Sequence, residues 1–456
     1  MKRKSVISFL ILCLSLLPAL GLCEELTAFA DSWRSDMNPL FEETYPNVTV
    51  RNSLDAPIPI SFDQMLVGLL TGESGYDLFY LRYSSGKAKA LSDRGYLADL
   101  GQSDAIRESV AGMPEVIRQR VTAADGSIFA FPCVLETEDR LMGFNTEVAE
   151  RLGIQKPETY AEFFDLLARW DSDYEAQAEA AGLCLVDYAF DWIPWRFLSQ
   201  MIDRYIAGYP DEALRYDTPE FISLMRLYDQ YREMLSGLQE SIRDPGNGQP
   251  WKRALFVYDL PLLMDFDEQE RYGGIEPMPL SVTDDPADTV IPVNLRAFSV
   301  YGDTPRLALA LRYVACRAEG FTPAERILFQ GGSDDTPVEH PNYAWQMAFY
   351  NAAVQALEAS LEAESDEELE AELTQYRLER EDCAYRRYLY TAESIRSYAS
   401  LTPRLRPMPP VSYDYYVHQP NLKVLLDGFT LGEISVEDFV REFDHVQMMM
   451  NLEAQY

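Results

Sequence analysis

A chain of 456 residues is too long for one ordinary core and implies two domains or lobes. With 47% hydrophobic and 25% charged residues, its composition is that of a globular protein. The excess of 74 acidic over 39 basic residues, a formal charge of -35, argues against a nucleic-acid partner, which needs basic patches, and favours solubility by self-repulsion.

The leader "MKRKSVISFLILCLSLLPALGLCEE" has a basic start, an apolar run from Val6 to Leu17, then Pro18 and small residues. This is the layout of a secretory signal peptide (1–23), and the run is short for a membrane span. The cut falls after Cys23, or "LGLC" is a degenerate lipoprotein box with Cys23 as the lipidated residue. "AFA" at Ala28 to Ala30 also fits a cleavage pattern, but a cut there would remove the first strand. Export is the expectation, with the membrane reached only through a lipid anchor. Four widely spaced cysteines remain (Cys133, Cys184, Cys316, Cys383) with no CxxC pair, so neither a zinc site nor a disulfide scaffold is indicated.

"EELTAFADSW" reads as a strand running into a loop, a helix follows from about Asn38, and "NVTVRN" is a second strand. "SFDQMLVGLLTG" has helical apolar spacing and stops at Gly72. "YDLFYL" (Tyr76 to Leu81) is a compact strand, and "KAKALSDRGYLADL" another helix. This alternation predicts an α/β sheet with helices on both faces. An extended passage runs from Ile128 to Asn145, then Pro157 to Trp170 opens a helix-rich region reaching about Arg243. Strand-like "RALFVYDLPLLM" and "TVIPVNLRAFSVYG" follow, then the amphipathic helix "TPRLALALRYVACRAEG". The acidic run "LEASLEAESDEELEAELTQYRLERED" reads as a solvated helix. Near the end, "PMPPVSYDYYVHQ" sets prolines, which forbid a helix, ahead of three tyrosines.

Catalytic signatures are absent. The histidines are His340, His418 and His445, with no metal spacing, and there is no GxSxG, no phosphate loop and no GxGxxG after a strand. "SSGK" (Ser84 to Lys87) matches a loose acyl-enzyme pattern without its companion motifs. No enzyme activity and no cofactor are expected.

The order of segments resembles the family 1 extracellular solute-binding proteins of ATP-binding-cassette (ABC) importers, the maltose-binding-protein-like group. "LTAFADSW" resembles that family's first strand and ligand loop, "FEETYPNVTV" its helix end and second strand, and "LLTGESGYDLFYL" the strand ending at the cleft. "RGYLADL" is similar to the next step, "FAFPCVLETEDRLMGFNTEVAERLGIQKPETYAEF" to the first hinge crossing, and "LLDGFTLGEISVEDFVREF" to the closing helix pair. Departures are Thr146 where the family has Lys, a long segment from about Glu358 to Ser400, and the degenerate lipobox.

The resemblance implies an α/β, two-lobed periplasmic-binding-protein-like fold (type II), with hinge-linked lobes and a ligand cleft between them. The N-terminal lobe would hold 24–135 plus about 296–340, and the C-terminal lobe about 138–290 plus 345–456. It implies capture of a small-molecule solute, a carbohydrate, and delivery to ABC importer permease subunits. A surface sensory protein signalling to a receptor, or a binder of a non-sugar acidic solute, is the alternative.

Sugar clefts need flat apolar rings and fixed polar groups. Trp33 follows the first strand, flanked by Asp31 and Asp36, which serve as hydroxyl acceptors or helix caps. Tyr80, Arg82 and Tyr83 end "YDLFYLRY"; strand alternation puts Arg82 on Tyr80's face, not Tyr83's. Glu136 and Glu138 share the first crossing. Trp192 and Trp195 are three apart in "YAFDWIPWRF", and Tyr258 lies in "LFVYDLP". In the resemblance Tyr413, Tyr415 and Tyr416 open a late helix at the cleft, with Tyr415 in the stacking position.

Overall fold

The structure is a computed structural model and describes residues 24–31, 38–56, 60–72, 75–137, 141–186, 193–209, 214–241, 250–363, 366–410 and 420–453. The strands in chain order are β1 (Glu24–Ala30), β2 (Val48–Asn52), β3 (Leu78–Arg82), β4 (Phe131–Thr137), β5 (Leu141–Asn145) and β6 (Cys184–Val186). They continue with β7 (Ala254–Leu260), β8 (Ile275–Pro277), β9 (Ile291–Val300), β10 (Val338–Glu339), β11 (Tyr388–Tyr390) and β12 (Leu405–Pro407).

Local chemistry sets the first βαβ steps. Asn38 caps the helix Pro39–Thr44 by accepting from the Phe41 N–H, and Ser61 and Gln64 close a capping box on the helix Phe62–Thr71. Gly72 ends that helix in the left-handed conformation at φ +72°, as the sequence predicts. β1 pairs in parallel with β2 and with β3. The buried Asp77, just ahead of β3, accepts from the Thr27 N–H at 2.9 Å and from Arg306 at 3.3 Å. It thereby fixes the bottom of the sheet to the start of the helix Leu307–Glu319.

Two sheets carry the fold. The first has the order β12-β9-β3-β1-β2, with β4 also on β9; the second has the order β6-β7-β5-β8. β9 runs antiparallel to both β3 and β4, so one ten-residue strand ties the early βαβ steps to the first crossing. The chain therefore forms two lobes, each with its own core. One core collects Leu26, Phe41, Phe131, Phe298 and Tyr313. The other collects Phe144, Phe163, Phe197, Tyr228, Phe439 and Phe443. No helix among the described residues is long and apolar enough to cross a membrane.

Two regions differ from the sequence reading. Residues from 345 onward are expected with the C-terminal lobe, yet Ile395, Tyr398, Leu401 and Leu405 lie in the core of β1 and β3. The helix Ala392–Leu401 presents Ile395, Tyr398 and Leu401 at helical spacing, and β12, which carries Leu405, then pairs in parallel with β9. The acidic run is not one helix. It belongs to an antiparallel pair, Tyr343–Ala363 and Glu367–Tyr385, the second capped by Asp366 and bridged to the first by Arg377–Glu358 at 2.7 Å.

Within the second sheet β5 lies between β7 and β8, and Gly143 pairs with Val257 on one side and Pro277 on the other. A Cβ there would come within 2.5 Å of Ile275 Cγ2 and closer still to Leu260 Cδ1, both buried. Gly143→Ala is expected to destabilise the protein by about 1–3 kcal/mol through overpacking. Urea unfolding should show a lowered midpoint with an unchanged slope; an unshifted midpoint would mean that the core yields freely.

Candidate functional site

The C-terminal ends of β1 and β3 meet on one edge of the first sheet, the edge where open α/β sheets place ligands. Asp31 follows β1 directly. Its N–H donates to the Tyr80 carbonyl at 3.2 Å, and its Oδ2 accepts from the Arg82 N–H at 2.8 Å, so the end of β1 holds the end of β3. Antiparallel register sets Arg82 opposite Arg296 of β9. Glu136 of β4 lies between the two guanidiniums, with Oε1 3.2 Å from Arg296 Nε and 3.5 Å from Arg82. Asp31 Oδ1 is 3.9 Å from Arg296.

These four groups form a balanced cluster, two cations and two carboxylates. Arg82, Arg296 and Asp31 are largely buried, with side chains 15–18% exposed, whereas Glu136 is 40% exposed and opens the cluster to solvent. Burial works against the charge of Arg296, but Glu136, Tyr80 and Asp31 more than offset it and hold its guanidinium above the ordinary value. Asp31 is the strained member. Desolvation pushes its carboxyl above the ordinary value, against the Arg82 N–H and the charges of Lys87, Arg296 and Arg82. Its Oδ1 is buried and accepts no hydrogen bond from the described residues, which is costly for a buried acceptor.

Of the residues singled out in the sequence, Arg82 and Glu136 meet here. Tyr80 lies beneath them, buried and tilted against Phe298 at 4.8 Å. It shares the face of Arg82, as strand alternation requires, but it serves as floor with its ring inside the core. Tyr83 is also buried in that core, on the short turn after β3. Arg296 escaped the sequence reading, although one cation inside the apolar "IPVNLRAFSV" was a legible signal. Asn294, two residues before it, accepts from Ser84 Oγ at 2.8 Å.

Trp195 and Tyr258 belong to the other lobe. Trp195 is half-buried on the helix Ile193–Gly208, and the neighbouring Arg196 covers the Tyr258 ring at 4.6 Å. After Tyr258 the chain bulges. Two steps along β5 match three along β7, and Asp259 takes a left-handed backbone at φ +73°. Trp33, Asp36, Glu138, Trp192, Tyr413, Tyr415, Tyr416 and Cys23 lie outside the described residues. The described cysteines are free thiols, and burial pushes Cys133 up to about 12.

No protein-family model matches the chain, and no curated protein matches it in sequence. Solved structures match it in fold. An open-conformation putative binding protein of Bacillus subtilis has 12% identity and a TM-score of 0.52 over 96% of this chain and 100% of that one. A family 1 extracellular solute-binding protein of Alicyclobacillus acidocaldarius has 12% identity and a TM-score of 0.50 over 95% and 98%. An ABC substrate-binding protein of Listeria monocytogenes, solved with cycloalternan, has 11% identity and a TM-score of 0.51 over 95% and 99%. At such identities the likeness is one of fold: the chain has the two-lobed periplasmic-binding-protein-like fold that these solute-binding proteins share.

The state of Asp31 has a pH signature. Because its folded value is raised, the folded protein holds this proton more tightly than the unfolded chain does. Its contribution to stability is complete below the unfolded value and is lost as pH rises through the folded value. Asp31→Asn removes that loss, so the stability of the variant relative to the wild type should rise with pH between about pH 3 and pH 7. Denaturant titrations across that range measure it; a difference independent of pH would show that Asp31 is not desolvated.

Proposed function

We propose that the chain is an exported ligand-capture protein that holds a sugar or oligosaccharide in the cleft between its lobes and delivers it to the permease of an ABC importer. The carrying observation is the cluster Asp31–Arg82–Glu136–Arg296 at the strand ends of the first sheet. Within it two cations face two carboxylates, and Lys87 adds a further cation acting on Asp31, so a ligand meets donors and acceptors side by side, as the hydroxyls of a polyol require. The cycloalternan-bound Listeria structure, alike in fold, supports the same class of ligand.

In this reading Glu136 and the orphaned Asp31 oxygen accept ligand hydroxyls, and Arg82 and Arg296 donate. Aromatic faces come from Trp195 and from Trp33, Trp192 and the Tyr413–Tyr416 row, with Asp36 and Glu138 as further polar contacts. The lobes follow the two cores, and ligand contacts made only in the closed arrangement favour closure over the open one. The chain catalyses no reaction itself. Export follows from the signal-like leader.

A thermal-shift screen over mono- and oligosaccharides tests the assignment. At least one sugar should stabilise the protein, by about 2.7 kcal/mol at roughly 100 times its Kd. Glu136→Gln should weaken that sugar at least tenfold, about 1.4 kcal/mol, while unfolding as the wild type does. Stabilisation by organic acids alone would sink the sugar assignment and leave ligand capture standing.

A further inference from the structure

The helix pair Tyr343–Ala363 and Glu367–Tyr385 rests its end on the helix Phe266–Tyr272 that follows β7. Tyr385 donates to Glu270 at 2.6 Å, Arg386 pairs with Asp267, and Phe266 meets Tyr385 edge to face at 5.2 Å. Between these elements lies a cavity of 470 Å³, within the range of about 300–1,000 Å³ typical of small-molecule sites. It shares no residue with the Asp31–Glu136 cluster.

Four half-buried rings line this cavity: Phe266, Tyr343, Tyr350 and Tyr388. Gln346, Asp382 and Arg386 interleave hydrogen-bonding groups with them. Asp265, Asp267, Glu379 and Asp382 outnumber Arg386 in the lining, a surplus of three negative charges that repels anionic ligands, while Arg387 lies over the Tyr343 and Tyr388 rings at 5.4 and 5.0 Å and pairs with Glu339. The same surplus would attract a cation, but the ring faces that would add to its binding are already met by the chain's own arginines. Arg386 already lies 5.7 Å over the Phe266 ring and pairs with Asp382 at 3.2 Å, so the acid-and-ring combination that attracts a cation holds one of the chain's own. The paired carboxylate keeps lone pairs and the guanidinium keeps N–H groups. Flat rings with donors and acceptors set among them match a neutral sugar ring. On the adjoining face of the first helix, Trp345 and Phe349 stack at 6.0 Å and 14°, with Trp345 70% exposed, which extends the aromatic surface outward.

We propose that this cavity is a second ligand site, taking a neutral carbohydrate and separate from the interlobe cleft. It does not depend on what the cleft binds. Hydrogen exchange of the full chain, read by mass spectrometry, tests it with maltose, raffinose and spermidine as probes, each at about 10 mM, a concentration chosen for weak binding. A sugar should slow exchange in peptides covering 340–350 and 378–389 by about threefold or more. The slowing should persist in Glu136→Gln, vanish when Gln346→Trp fills the cavity, and shrink in Asp382→Asn. Slowing by spermidine alone would overturn the proposal in favour of an organic cation. Slowing that both cavity variants leave intact, or protection confined to cleft peptides, would overturn it while the cleft reading stood. No slowing by any probe would overturn it as well.

Discussion

Antiparallel pairing of β9 with β3 brings Arg82 and Arg296 to the same register position, side by side and largely out of water. Two guanidiniums so placed would repel each other in a medium that screens them poorly. They are held because Glu136, delivered by β4 from the other side of β9, bridges both, and because Asp31 closes the end of β1 over them. The sheet and the site are therefore one construction. The strand pairing that ties the first crossing to the early βαβ steps also assembles the charges.

That arrangement leaves one imbalance. Asp31 is desolvated, its Oδ2 is occupied by the Arg82 backbone and its Oδ1 has no donor among the described residues. Arg296 stays charged despite burial, since the neighbouring carboxylates outweigh desolvation. The cluster thus sets guanidinium donors beside carboxylate acceptors that hold one another charged.

The other lobe is built by different means. Its core is a dense aromatic cluster, with Phe163 edge-on to Phe197 and Phe256, and Phe429 stacked on Phe439 at 4.3 Å. The bulge at Asp259 bends β7 just beyond Tyr258, at the strand that faces β5. The helix pair Tyr343–Tyr385 is an addition of its own, acidic outside and joined to the helix Phe266–Tyr272 by Arg386–Asp267 and Tyr385–Glu270. Through Ile395 and Tyr398 the chain then returns to the first core.

The sequence by itself determined the alternation of strands and helices, the helix stop at Gly72, the strand end at Arg82, and a carboxylate, Glu136 or Glu138, at the first crossing. Each of these is local: a capping residue, a period of two or 3.6, or a run of segments in familiar order. Only the tertiary structure decided that Tyr80 is buried in the core, that Arg296 stands beside Arg82 and Glu136, and that the helix Ala392–Leu401 joins the first core. Those outcomes rest on which strands pair and in what register, across separations such as the 265 residues between Asp31 and Arg296 (296 minus 31). Neither composition nor spacing encodes that register, because it is set by the whole sheet closing at once.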